Sequence, residues 1–187
     1  MSVELRIDPS YKGTALALFD FSKKNLKLAL FGVNESKKSL INYYNASVLI
    51  KEQVSEYLQT NLKEFTVSYL EAPTPRGLSA AGLYGLQYHL LDVLLTHPLI
   101  VSQHSIATSF IHGRVKKLGD DSISFHKNLC KDRIIELEHQ GWVVENSSLL
   151  KKPGDDIATV VLFEKLSTEL NRKKNQINAW PEIQLRG

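Results

Sequence analysis

The sequence predicts an α/β domain built on a mixed sheet, and three observations carry that expectation. Three short apolar runs open the chain with turn residues between them, and helical and β-branched segments alternate from about residue 47 onward. The composition is 43% hydrophobic, 9% aromatic and 23% charged, with 10 Gly and 6 Pro, which excludes collagenous, disordered and disulfide-framework classes. At roughly 150 residues per domain, 187 residues correspond to about one domain. A chain of this size buries about 70% of the surface that its unfolded form exposes.

Val3, Leu5 and Ile7 alternate with Glu4 and Arg6, a period of two that predicts a strand ending at Asp8-Pro9-Ser10. Gly13 marks the following turn. Ala15 to Asp20 and Leu26 to Gly32 are two further apolar runs around Ser22-Lys23-Lys24-Asn25, so an antiparallel meander is expected. From Ser47 to Leu62, the residues Val48, Leu49, Val54, Leu58 and Leu62 recur at helical spacing, and the β-branched, aromatic run Phe65 to Leu70 leads to Glu71-Ala72-Pro73.

Leu78 to Leu95 is the best helix in the chain, with a broad leucine stripe and the small residues Ala80, Ala81, Gly82 and Gly85 permitting close approach to a sheet. Pro98 to Ser102 reads as a short strand, His104 to Ile111 as a helix, and Gly113 to Phe125 as an exposed, basic connection. Asn128 to Gln140 is amphipathic through Leu129, Ile134, Ile135 and Leu137, and Gly141 stops it. Trp142-Val143-Val144 is a last strand or strand fragment. A final helix runs from Asp156 to about Lys174 with Ile157, Val160, Val161, Phe163 and Leu166 inward. The order is βββαβαβ(α)αβα, one domain over residues 1–174 followed by a loosely held tail, residues 175–187.

Charge and cysteine usage bound the setting. Twenty-three Lys+Arg against 20 Asp+Glu leave +3, which permits an anionic partner without arguing for one. Cys130 is alone, so neither an internal disulfide nor a thiolate metal site is expected, and a reducing, cytoplasmic compartment is the simpler setting. No run approaches the ~20 apolar residues of a membrane span, and Glu4, Arg6 and Asp8 stand where a signal peptide needs an apolar core. The six histidines form no HExxH or Cys/His grouping, so zinc is not expected.

The chemistry lies in the acids. Asp8 and Glu71 each end a strand just before a proline or turn, where an α/β sheet opens to a cleft, and Asp155-Asp156 starts a helix. Taken singly, each has a structural explanation: a turn start, a solvated strand end, a helix cap. Together they form the hard-oxygen set that a pair of Mg²⁺ or Mn²⁺ ions requires for phosphodiester hydrolysis.

Three blocks then resemble one family in order and spacing. Ile7-Asp8-Pro9-Ser10-Tyr11-Lys12-Gly13-Thr14-Ala15-Leu16-Ala17 resembles the opening strand and turn of the RuvC family of Holliday-junction resolvases. Leu70-Glu71, with the small-residue helix Ser79-Ala80-Ala81-Gly82-Leu83-Tyr84-Gly85, is similar to that family's second acid and the helix behind it. Lys152-Pro153-Gly154-Asp155-Asp156-Ile157-Ala158 is similar to the acid-rich start of its last helix. The likeness spans most of residues 3–166.

The resemblance implies an RNase H-like fold, a five-stranded mixed sheet flanked by helices on both faces. It further implies a metal-dependent, structure-selective endodeoxyribonuclease of DNA recombination and repair. On that likeness Asp8, Glu71, Asp155 and Asp156 are the catalytic acids and ligands of two Mg²⁺ ions, with Mn²⁺ as substitute. Water attacks in line and leaves 5′-phosphate and 3′-hydroxyl ends. The family shows two acids one helical turn apart at the last helix, whereas Thr159 stands three residues after Asp156. Asp156 is the favoured ligand of the adjacent pair.

Between Phe110 and Arg133, six basic residues face three acids, a local +3. Such a segment suits sequence-independent phosphate contacts, or simply keeps a polar loop solvated. Arg114, Lys116, Lys117 and Lys127 are the candidate DNA contacts there, with Lys127 placed just ahead of its helix where the family has a phosphate-contacting lysine. Lys152 lies beside the acids as a phosphate-holding residue or a charge neighbour, and Arg76 stands where the family presents an aromatic wedge to the junction. Tyr11 reads as a turn aromatic or a DNA contact. The expected partners are branched DNA and a second copy of the chain, the family acting as homodimers through the element corresponding to Leu78–Leu95. Two other classes stay open: a non-catalytic RNase H-like binding module, favoured by Thr159, and a nuclease for RNA–DNA hybrids. An actin-like ATPase needs two such lobes, which this length does not provide.

Overall fold

Alternation at the N-terminus builds the centre of the sheet. In the computed structural model, residues 3–33, 40–61, 67–71, 77–94, 99–101, 122–154 and 156–162 are described. Strands β1 (Val3–Asp8), β2 (Thr14–Asp20) and β3 (Asn25–Phe31) form the expected antiparallel meander, with Asp8 opposite Ala15 and Asp20 opposite Asn25. Asp20 Oδ1 closes the second hairpin by accepting from the Ser22 hydroxyl at 2.6 Å and from the Ser22 and Lys23 amides, both at 3.1 Å. The Ser22 hydroxyl bond is the main reason that the Asp20 carboxyl is held below its ordinary range.

Strands β4 (Val67–Glu71) and β5 (Leu99–Val101) add in parallel beside β1, and β6 (Val143–Glu145) adds in parallel to the far edge of β3. The sheet order is β5-β4-β1-β2-β3-β6. The expected count of five strands is therefore corrected to six among the described residues. The edge strand β6, which the residues Trp142-Val143-Val144 predict, is held where Val143 N–H donates to the Lys24 carbonyl at 2.8 Å and where Trp142 packs edge-on against Phe19 and Phe21.

Both faces of the sheet are covered. Helices α1 (Leu40–Asn61) and α2 (Gly77–Leu91) lie over Leu5, Ile7, Leu16, Leu18 and Leu70. Helix α3 (Ser122–His139), the 3₁₀ turn Ser147–Lys151 and helical residues 156–162 cover Ala15, Ala17, Phe19, Leu26 and Leu28. Helix α1 begins seven residues earlier than the sequence predicts, and its buried row is Ala46, Ile50, Val54 and Leu58, a strict i+4 series. Leu49, expected inward, is exposed because it lies off that row. Helix α3 likewise buries Cys130, Ile134 and Leu137 and leaves Ile135 in solvent. It starts at Ser122, so the last part of the predicted basic connection is helical. The proposed helix His104–Ile111, residues 163–174 of the last helix and the tail lie outside the described residues.

Candidate active site

The acids reach one end of the sheet through the register. Asp8 is the last residue of β1 and pairs with Ala15, which packs on the face covered by α3 and residues 156–162. Asp8 is mostly buried, as are Glu4 and Arg6 on the same face. Ile7 pairs with Leu70, so the next backbone position of β4, Glu71, stands beside Asp8. Two of the predicted acids thus end adjacent parallel strands, the point where an α/β sheet opens to a ligand.

Asp156 comes to the same end from the other direction. Its Oδ2 lies 3.4 Å from where a Cβ on Gly13 would stand, which places the carboxylate against the β1–β2 turn that Asp8 enters. Gly154 makes this possible. Its φ is +84°, and a Cβ there would meet the same oxygen at 2.7 Å, so the chain turns under the carboxylate only with glycine. Thr159, one helical turn on, is buried.

The turn after Asp8 is tightly held. Thr14 Oγ1 donates to the Ser10 carbonyl at 2.7 Å and accepts from the Ser10 amide at 3.2 Å. Sequence reading placed the turn at Gly13 but missed the Ser10–Thr14 bonds; the Ser-x-x-x-Thr spacing just beyond the acid was the available signal. Tyr11 is a bracket within the protein, its phenol donating to the Gly82 carbonyl at 2.5 Å and its ring 4.9 Å from that of Tyr43.

Of the basic candidates, Lys127 and Lys152 are placed together. Lys127 is inside α3, one turn from its start, where the sequence put it ahead of the helix. Its ammonium donates to the Lys152 main-chain carbonyl at 2.5 Å. Both lysines and Asp156 line one small depression, with Leu30, Leu149 and Gly154 completing its wall. Arg133, counted in the basic segment, is engaged with Glu136 at 2.7 Å. Asp155, Arg76, Arg114, Lys116 and Lys117, and the side chain of Glu71, lie outside the described residues. Among the described residues no group of three or more His, Cys, Asp or Glu side chains forms a metal site. The described acids, Asp8 and Asp156, are hard oxygen donors gathered at one sheet end, and this donor chemistry fits Mg²⁺ or Mn²⁺.

No helix among the described residues is long and apolar enough to cross a membrane. No family model and no curated protein sequence matches the chain. Solved structures do. A Thermus thermophilus RuvC in complex with a Holliday-junction substrate superposes with a TM-score of 0.53 at 10% identity, over 90% of this chain and 96% of that one. A second Thermus thermophilus RuvC structure gives 0.51 at 15% identity, over 89% and 96%. At such identities the likeness is one of fold. The chain thus shares the fold of these two RuvC structures.

Proposed function

We propose that this chain is a divalent-metal-dependent endodeoxyribonuclease that resolves four-way or other branched DNA junctions by phosphodiester hydrolysis. The observation that carries the reading is the arrival of Asp8, the Glu71 backbone and the Asp156 carboxylate at one end of a RuvC-like sheet. Asp8, Glu71 and Asp156, with Asp155, would hold Mg²⁺, or Mn²⁺ in its place. Such ions supply Lewis-acid stabilisation of the charge that develops on the phosphodiester oxygens.

The chain's own residues do the rest. The Ser10–Thr14 pair fixes the turn beyond Asp8, so the carboxylate meets its ligand with little reorganisation. Lys127 anchors the loop before Asp156 through the Lys152 carbonyl, which leaves the Lys152 ammonium to hold a phosphate at the rim. Arg76, Arg114, Lys116 and Lys117 contribute further phosphate contacts, and DNA binding weakens steeply with salt. A homodimer presents two such sites to the two symmetry-related strands of a junction.

Mg²⁺-dependent cleavage of a labelled immobile four-way junction, beside linear duplex, fork and RNA–DNA hybrid, tests this reading. Paired nicks across the junction, lost in Asp8→Asn, are expected. Selective cleavage of the hybrid would transfer the assignment to that substrate. Thr159, buried one turn beyond Asp156, favours a second reading, a binding module without catalysis. Junction binding with no cleavage in Mg²⁺ or Mn²⁺ would select it.

A further inference from the structure

We propose that Tyr11 is a positioning residue that sets the separation between Asp8 and Glu71 and thereby the affinity of the site for a divalent cation. The inference rests on the reading of those two acids as metal ligands. Tyr11 lies in the turn that leaves Asp8, and its contacts reach three other elements. Its phenol donates to the Gly82 carbonyl on α2, the helix that follows Glu71 in the chain. Its ring lies against Tyr43 on α1 at 4.9 Å, the ring planes inclined by 33°. Its main-chain carbonyl accepts from the Val33 amide just beyond β3 at 3.1 Å.

Glycines make these approaches possible. A Cβ on Gly82 would stand 3.0 Å from Tyr43 Cγ and 3.3 Å from Tyr11 Cε2. A Cβ on Gly32 would stand 2.5 Å from the Lys12 carbonyl oxygen. The turn is therefore clasped from both sides, and the tyrosine is the link between the strand carrying Asp8 and the helix after Glu71. The direct register between β1 and β4 runs from Glu4–Val67 to Ile7–Leu70 and stops one residue short of the acids. Beyond that pair Asp8 is held to Ala15 on β2 and Glu71 to Val101 on β5, each on the side away from the other acid, and the Tyr11–Gly82 bond ties the turn after Asp8 to the helix after Glu71. Groups outside the ligand shell that orient it change metal affinity by about tenfold or more when removed.

The test is direct Mn²⁺ titration of the full chain by calorimetry, without DNA, for wild type, Asp8→Asn, Tyr11→Phe and Gly82→Ala. Tyr11→Phe keeps the ring and removes only the phenol donor. The expected result is binding by wild type, loss in Asp8→Asn, and Mn²⁺ affinity about tenfold weaker in Tyr11→Phe. Gly82→Ala, which pushes on the same ring, should weaken Mn²⁺ in the same direction. Metal-free binding to a four-way junction should be unchanged in Tyr11→Phe, which separates a positioning role from a DNA contact. Wild-type Mn²⁺ affinity in a folded Tyr11→Phe would overturn the inference while leaving the acids as ligands. A wild-type chain that takes no Mn²⁺ would overturn both.

Discussion

The ammonium of Lys127, on the second turn of α3, donates to the main-chain carbonyl oxygen of Lys152 at 2.5 Å, across 25 residues of chain. A lysine that sequence order marks as a phosphate contact is thereby an anchor for the loop that delivers Asp156. Lys127→Met should lower stability by at most about 1 kcal/mol, since the contact is exposed to solvent. It should weaken Mn²⁺ binding more than that change implies, because the loop it releases carries the carboxylate. Equal Mn²⁺ affinities in Lys127→Met and wild type would return Lys127 to the role of a plain surface cation.

Gly154 should be intolerant of any side chain. Its φ of +84° disfavours an L-residue, and the added Cβ would stand 2.7 Å from Asp156 Oδ2. Gly154→Ala is expected to lose about 1–2 kcal/mol and to displace the carboxylate. Gly85 is the control, since a Cβ there meets nothing within 4 Å and the residue is inside α2. Gly85→Ala should stabilise by about 0.5–1 kcal/mol. Urea denaturation of both variants checks the pair, and opposite signs are the required outcome.

Much of this architecture is legible in the residues. Val3, Leu5 and Ile7 declare β1, the two runs after Gly13 declare its hairpins, and the chain order of Asp8, Glu71 and Asp156 is readable in the sequence itself. What the pattern cannot supply is the second partner. Alternation in β1 reads as one buried and one wet face, yet Glu4 and Arg6 are buried as well, because α3 and residues 156–162 cover that side. Leu49 looks as inward as Ile50 until the i+4 row through Ala46 fixes the phase. The Tyr11–Gly82 bond joins positions 71 residues apart, and no local signal marks such a pair. Lys127 falls inside the helix because Ser122 to Phe125 carry few helical cues in sequence and Phe125 packs on the core cluster under α3.

Arg6 offers a stability test independent of the site reading. Its side chain is fully buried, its Nη2 lies 2.6 Å from Glu4 Oε2, and its guanidinium sits 3.9 Å from the centre of the Phe19 ring. Arg6→Met leaves the Glu4 carboxylate with little solvent and no Arg6 partner, which is expected to destabilise by about 3 kcal/mol. The double variant Arg6→Met/Glu4→Gln removes both charges and should recover at least half of that loss. Additive losses in the denaturation cycle would mean that the pair is not coupled.

Cys130 makes the last prediction, and its sign is fixed by burial. The thiol has no exposed surface, and desolvation pushes its pKa from the ordinary 9.0 up to about 12. Between these values the unfolded chain has released the proton while the native chain retains it. The contribution is therefore complete below pH 9 and is lost as pH rises toward 12, at up to about 1.4 kcal/mol per pH unit. Other groups titrate in that range, so the measurement is the difference between wild type and Cys130→Val. Wild type should lose stability against the variant between pH 9 and 10.5, and its thiol should resist iodoacetamide at pH 8 until the protein is unfolded. A stability difference that stays constant with pH, or rapid alkylation of the native chain, would place the thiol in contact with water and contradict the packing of α3 on β2 and β3.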